Sequence, residues 1–363
     1  MKIAIVHDFL NQFGGAERVV AVLHEMFPDA PIYTSIFNKG RMPQEFGKMD
    51  IRTSFMQNLP LVMEKYRYYF WLYPKAFESF DLSEYDLIIS SSSAYAKGIN
   101  KRSDAIHICY CYNPMRFVWR YENYIKKEDF PWFIKSLLPG LLTGLKKWDL
   151  RSNEKVDCFV AISKEIEQRI KHMYQRDSVL IYPPIEVSLF DVSKNEGDYF
   201  LIVARLSAYK RIDLAVEAFS KLQLPLKIAG NGPAKNELQK KAKNNVEFLG
   251  KVSDTGLKEL YSNCKALVVT GEEDFGIAPL EAAASGKPTI AFRAGGALET
   301  VVDKKTGIFF DRQDTEALVA AVKSFNQLSF DKLSIRQQAE KFDKQVFKEK
   351  MLKLVSELIS TRR

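Results

Sequence analysis

No stretch of this 363-residue sequence approaches the roughly 20 consecutive apolar residues that a helix needs to cross a bilayer. A membrane-spanning helix is therefore not expected. Cysteine is scarce, and Cys109, Cys111, Cys158 and Cys264 have no metal-binding spacing. They read as buried free thiols, with Cys109 and Cys111 on one face of the strand HICYCY. No set of glycines forms GxGxxG with a ribose acid downstream, which argues against an NAD-dependent dehydrogenase. A recognised RNA- or DNA-binding module and a contiguous basic helix are also missing, so nucleic acid is a poor partner despite a formal charge of +8. The opening MKIAIVHDF carries one lysine before a short apolar run. It reads as a buried strand rather than a signal peptide, which predicts a cytoplasmic location.

What is present suits a soluble globular chain of two domains, with 46% hydrophobic and 27% charged residues over a length too great for one ordinary core. Short apolar strands alternate with helical stretches, the pattern of β-α units around a parallel sheet. The first set includes IAIVHDF, DLIISSS, IHICYCY and CFVAIS; the second YFLIVARL, PLKIAG, VEFLG, ALVVT and PTIAF. Tyr-Pro-Pro and a polar run mark a linker near residues 183 to 197. The expected division is 1–185, 195–342 and a last amphipathic helix, 343–363, packing back across the linker toward the N-terminal domain. Ligands of open parallel sheets bind at the carboxyl ends of the strands, so two such sheets facing each other would enclose a shared site.

Residues 97 to 176 carry 16 Lys or Arg against 9 Asp or Glu, most of the basic excess. There Trp132, Phe133, Leu137, Leu138, Leu141, Leu142 and Leu145 can form an apolar face flanked by lysines. Such a helix suits an anionic membrane surface or, equally, packing on the core with its lysines solvated.

Candidate site residues follow strands. After His7 and Asp8 come Gly14 and Gly15 at a helix start, where backbone can approach a ligand and the helix N-terminus favours negative charge. A purely structural strand-glycine-helix turn fits them too. In YFLIVARLSAYKRID, Arg205 ends a strand and Lys210 follows five residues later, a fork of donors and a mobile point charge that could grip one diphosphate or line a solvated turn. In VVTGEEDFGIAPLEAAASGKP a buried strand runs into Gly271, acids, Phe275 and Gly276, then a helix carrying Glu281. Glu273 can accept hydrogen bonds from sugar hydroxyls, Glu281 can reach a ribose, and amides near Gly276 and Ile277 can point at phosphate.

These motifs resemble family 4 of the glycosyltransferases, closest in look to bacterial mannosyltransferases of O-antigen and surface-polysaccharide assembly. The resemblance runs through HDFLNQFGGAERV, FDLSEYDLIISSSSAYAKGI, CYCYNPMRFVW, AISKEIEQRI, YPPI, ARLSAYKRIDLAVEAF, AGNGP, GEEDFGIAPLEA and AFRAGGALETV. It implies an α/β chain of the GT-B fold, two Rossmann-like domains with parallel sheets facing across a cleft. It implies that Arg205 and Lys210 hold the donor diphosphate, Glu281 the ribose and Glu273 the transferred sugar. The base would contact Gly250, Lys251 and Val252. Gly14 and Gly15 would face donor phosphates or acceptor, and Gly230 with Gly232 would shape the cleft wall. No metal or cofactor is implied, because the Arg-Lys pair and a helix dipole replace one. Many relatives carry a histidine where this sequence has Tyr112, so no catalytic histidine is carried over. His7, Asp8, Tyr112, Asn113 and Arg116 are acceptor-side candidates, and His107 lies nearby in sequence.

The implied reaction is retaining transfer of a hexose, with mannose from GDP-mannose as the expected donor. The expected partner is a saccharide acceptor, polyprenyl-diphosphate-linked, whose phosphates Arg116, Arg120 and Lys126 could meet. A UDP-hexose-dependent transferase, a sugar-nucleotide 2-epimerase and a non-catalytic sugar-nucleotide-binding subunit are the alternatives.

Overall fold

Apolar runs that are each followed by a helix pair side by side and parallel, because the helix carries the chain back to the same end of the sheet. The computed structural model describes residues 1–119, 132–194 and 197–362, and the side chains of all of these except 132–138. Its first sheet holds β1 (Ile3–His7), β2 (Ile32–Thr34), β3 (Ile51–Thr53), β4 (Leu87–Ser92), β5 (Ile106–Cys111), β6 (Cys158–Ala161) and β7 (Ser178–Leu180), in the order β3-β2-β1-β4-β5-β6-β7. The second holds β8 (Tyr199–Val203), β9 (Leu226–Ala229), β10 (Val246–Gly250), β11 (Cys264–Val269), β12 (Thr289–Phe292) and β13 (Gly307–Phe310), in the order β10-β9-β8-β11-β12-β13. Every pairing between these strands is parallel. Strand order reverses between β1 and β4 in the first sheet and between β8 and β11 in the second, which opens a crevice at the carboxyl ends of those strands.

The helices that matter below are α1 (Gly15–Met26), α2 (Trp132–Asn153), α3 (Lys164–Tyr174), α4 (Ile212–Leu222), α5 (Lys235–Lys241), α6 (Asp254–Asn263), α7 (Ala278–Ala284), α8 (Thr315–Phe325), α9 (Lys332–Glu340) and α10 (Lys344–Arg362). Short polar side chains start several of them by taking an otherwise orphaned amide. Ser163 accepts from the Ile166 amide at α3 (3.2 Å), and Asp314 from the Ala317 amide at α8 (2.7 Å).

The chain divides into two compact units, Met1–Tyr182 with Lys348–Arg363, and Pro183–Phe347. The stretch expected to be a linker is pinned to the second unit. Ser193 donates its amide to the Ser285 carbonyl (3.2 Å), and Arg336 donates to the carbonyls of Phe190 and Ala284, both at 2.6 Å. In the first unit the end of α10 is held by Lys348 to Glu25 (2.7 Å) and by Arg362 to the Asp157 carboxylate and the Ala105 carbonyl.

In α2 the two readings of the basic segment separate. Leu142, Leu145 and Trp148 are core residues of the first unit, while Lys146 and Lys147 are exposed. Of the leucines assigned to a membrane-facing stripe, Leu141 stands out of the core, at 38% exposed. The described part of the helix thus packs inward with its lysines solvated. The side chains of Trp132, Phe133, Leu137 and Leu138 lie outside those described. Beneath α2 a buried ion pair joins Lys97 to Asp149 (2.6 Å), and Trp119 and Tyr174 also donate to that carboxylate (2.7 and 3.2 Å). Among the described residues no helix is long and apolar enough to cross a membrane.

Candidate functional site

In the second unit the loops after β8 and β11, neighbours at the reversal of strand order, bring Lys210 and Glu273 of the expected donor-site residues into contact. Arg205 lies two residues beyond β8 and is exposed. Lys210 ends a short 3₁₀ turn, Ala208–Lys210, rather than opening α4, and Arg211 takes a left-handed conformation (φ +50°) before the helix begins. The Lys210 ammonium bonds the Glu273 carboxylate, and both side chains are largely buried. This pairs the cation after β8 with the acid after β11, 63 residues apart.

The backbone is built for that approach. Thr270 Oγ1 donates to the Lys210 carbonyl (2.8 Å), and Gln313 Nε2 to the Thr270 carbonyl (2.9 Å). A side chain at Gly271 would put a Cβ 2.7 Å from Lys210 Cα, so that position must be bare. On the far side of the acidic loop, Gly296 donates its amide to the Glu273 carbonyl (2.8 Å). Gly276 holds φ at +87°, where a side chain is strained, and thereby turns the chain into α7. No side chain caps that helix start.

Glu281, on α7, is 7% exposed and accepts a hydrogen bond from Tyr261 Oη (2.7 Å). Phe275 is a buried packing residue with its ring 5.8 Å from that of Phe342. The loop after β10 continues the row of strand ends: Gly250 has φ +69°, Lys251 is exposed and Val252 half-buried. Gly230 and Gly232 lie against the backbone after β8, where an added Cβ would fall 1.9 Å from the Ala204 carbonyl oxygen or 2.2 Å from that of Leu206. Tyr261 and Gln313 carry no signal in their local sequence, and Thr270 and Gly296 lie in motifs that do not single them out. Only contacts reveal them: Tyr261 with Glu281, Thr270 with Lys210, Gly296 with Glu273, and Gln313 with Thr270.

In the first unit the acceptor-side candidates gather at the carboxyl ends of β1, β4 and β5. Two of them are occupied with structure. Asp8 is 1% exposed and its two oxygens accept from the amides of Ser93, Ala94, Tyr95 and Ala96 and from Ser93 Oγ, at 2.6 to 3.0 Å. With five donors on one carboxylate, Asp8 fixes the loop after β4 and has little left for an acceptor. Gly14, in extended backbone, donates its amide to Glu17 Oε2 (2.7 Å), so that donor is already engaged and a phosphate would have to displace it. Gly15 opens α1.

His7 is 3% exposed, with Nδ1 at 3.0 Å from both the Ser91 carbonyl and Ser91 Oγ, and Nε2 at 3.8 Å from Glu17 Oε1. Tyr112 Oη donates to the Ala16 carbonyl (3.0 Å) and lies 2.9 Å from Ser91 Oγ, while burial holds its phenol well above the usual range. Asn113 is 8% exposed, and its Nδ2 is buried with no hydrogen-bond partner. Arg116 opens the short helix Arg116–Trp119 and is half-buried. Arg120 and Lys126 lie outside the described residues. His107 is fully buried between Ser90 Oγ (2.8 Å) and the Lys155 carbonyl (3.1 Å), and burial pushes its pKa down to about 4. It serves the sheet.

Two Rossmann-like units, each an open parallel sheet with polar loops gathered at its carboxyl edge, make this a protein of the GT-B class. Residues 187–345 match the family described as glycosyl transferases group 1. The chain is 32% identical over 189 residues to the alpha-1,3/1,6-mannosyltransferase ALG2 of Dictyostelium discoideum, spanning 39% of this chain and 45% of that protein. It is 30% identical over 189 residues to O-antigen chain mannosyltransferase C of Escherichia coli, spanning 46% and 50%. The chain thus spans about half the length of these curated relatives. Among solved structures, sucrose-phosphate synthase from Thermosynechococcus elongatus superposes with a TM-score of 0.78 at 17% identity, over 99% of this chain and 100% of that one. Anabaena Alr3699/HepE in complex with UDP-glucose gives 0.73 at 17% identity, over 98% and 100%. At these identities the structural likeness speaks for the fold.

Proposed function

We propose that this chain is a retaining glycosyltransferase that moves mannose from a nucleotide diphosphate sugar, GDP-mannose, to a lipid-linked saccharide in the synthesis of a cell-surface polysaccharide. The observation that carries the reading is the Lys210–Glu273 pair at the strand-order reversal of the second unit, with Arg205 on the same loop as Lys210 and Glu281 on the helix that follows the acidic loop. The mannosyltransferase relatives support the choice of sugar.

In the reaction the bond from the anomeric carbon to the diphosphate oxygen breaks and its electron pair stays on the diphosphate. The acceptor oxygen bonds that carbon on the face the diphosphate leaves, and the acceptor proton passes to a departing phosphate oxygen. Arg205 and Lys210 stabilise the charge that grows there, the kind of term that supplies much of an enzyme's rate enhancement. Glu273 accepts from sugar hydroxyls and Glu281 from the ribose. Lys210 is now bonded to Glu273, so donor binding inserts phosphate and sugar between a pair that is already oriented. This reading places the charge on side chains and requires no metal.

Calorimetry with GDP, UDP and their mannose and glucose conjugates, followed by donor hydrolysis, tests it. Selective GDP-mannose binding with release of α-mannose is expected. Lys210→Ala and Arg205→Ala are each expected to lower turnover by about a hundredfold or more, and near-normal rates in both would refute the assignment.

A further inference from the structure

Four of the fifteen large apolar side chains that stand exposed among the described residues lie between 55 and 71: Phe55 (42%), Leu61 (61%), Tyr68 (45%) and Trp71 (53%). The chain there is nearly continuous helix, Val62–Lys65, then the 3₁₀ turn Tyr66–Tyr69, then Tyr73–Glu78. Its inner face is settled. Val62, Tyr73, Ala76 and Phe77 are core residues of the first unit, and Tyr66, Tyr69, Phe70 and Leu72 pack against them.

The outer face reads Leu61, Lys65, Tyr68, Trp71 and Lys75, a stripe at spacings of three and four, with Arg67 beside it; the three cations are exposed. Between residues 55 and 75 the only acid is Glu64. Soluble helices put charged and polar groups on this face, and here it presents a leucine, two amphipathic rings and cations. The segment is also held in shape. Tyr69 Oη donates to the Pro60 carbonyl (2.7 Å), Tyr73 Oη to that of Tyr66 (3.2 Å) and Tyr95 Oη to that of Phe70 (2.9 Å), so Tyr68 and Trp71 are displayed on ordered backbone.

We propose that this stripe seats the chain on the headgroup layer of an anionic bilayer, with Leu61, Tyr68 and Trp71 entering the interface and Lys65, Arg67 and Lys75 meeting lipid phosphates. Tyrosine and tryptophan are the rings that favour a boundary with one apolar and one wet side. Juxtaposed cations add attraction to acidic lipid. A net charge of +8 favours the same partner. The inference goes beyond the transferase reading and stands on this surface alone.

The test is sedimentation of the full chain with vesicles of phosphatidylcholine alone or mixed with phosphatidylglycerol. Preferential binding to the mixed vesicles is expected, weakened about fivefold for each cation removed in Lys65→Gln and Lys75→Gln. Leu61→Ala with Trp71→Ala should abolish quenching of tryptophan fluorescence by bromine-labelled acyl chains. Wild type and variants should share one thermal melt, since the substitutions are on the surface. Equal partition of wild type and variants would overturn the proposal, as would equal affinity for neutral and acidic vesicles. So would a lipid-free dimer that the same substitutions dissociate, because the stripe would then belong to a second copy. Vesicle binding is read without any transfer step, so a negative result leaves the donor assays untouched.

Discussion

Replacing Gly296 by alanine should cost catalysis far more than its single methyl suggests. An added Cβ would lie 2.0 Å from the Phe275 carbonyl oxygen and 2.2 Å from Phe275 Cα. Ordinary contacts of that kind exceed about 3 Å, so one of two backbones must retreat by about 1 Å. The Gly296 amide bonds the Glu273 carbonyl, so the displaced segment is the loop carrying Glu273 and, through it, the partner of Lys210. In the proposed reaction Glu273 orients the sugar, and a shift of about 1 Å in such a group is worth about a hundredfold in rate. Donor hydrolysis and transfer at saturating donor would measure this, with thermal melting to separate misplacement from unfolding. Gly144, in α2, supplies the contrast, because nothing lies within 4 Å of its would-be Cβ. Gly144→Ala should therefore stabilise by about 0.5–1 kcal/mol through helix propensity and leave turnover unchanged. A Gly296→Ala enzyme with turnover within about threefold of wild type and an unchanged melt would refute the packing argument.

Asp149→Ala would strand the buried Lys97 ammonium, and urea unfolding should show a loss of about 3–5 kcal/mol; a loss under about 1 kcal/mol would mean the pair is solvated. His107 is held near pKa 4 by burial, against 6.5 unperturbed, so below pH 6.5 the unfolded chain takes a proton that the folded chain refuses. Stability should therefore fall by about 3 kcal/mol as pH drops from 6.5 to 4, and His107→Gln should flatten that part of the profile. Tyr261→Phe removes a donor from the buried Glu281 carboxylate and should weaken nucleotide binding about tenfold with little change in turnover; an unchanged calorimetric affinity would detach Glu281 from the nucleotide.

Much of this was legible in the chain before folding. The apolar runs IAIVH, LIISSS, IHICYC, YFLIV and CKALVV become β1, β4, β5, β8 and β11, because strands buried on both faces must be apolar nearly throughout. Local spacing also located Arg205, Lys210, Glu273 and Glu281 after strands. The three-residue strands β2, β3 and β7 left no comparable trace, since so short a segment holds at most one period of alternation and is set by its neighbour.

What the sequence alone determined about this protein is its class: two sets of β-α units, glycine-led turns after strands, and the cations and acids that those turns carry. The tertiary structure alone decided which of these groups are available. Asp8 and Glu281 are both acids in largely apolar sequence, yet one spends its oxygens on four amides and a hydroxyl, while the other has a tyrosine 20 residues away as a partner. Leu142 and Leu145 of α2 and Leu61 are the same residue type, and only packing sends the first two inward and leaves the third exposed. The reason is one of range. Helical and strand periodicity act over a few residues and are written in the local sequence, whereas satisfaction of a buried donor, exclusion of a methyl by a distant carbonyl and exposure of a ring depend on chain segments that meet only in the folded state.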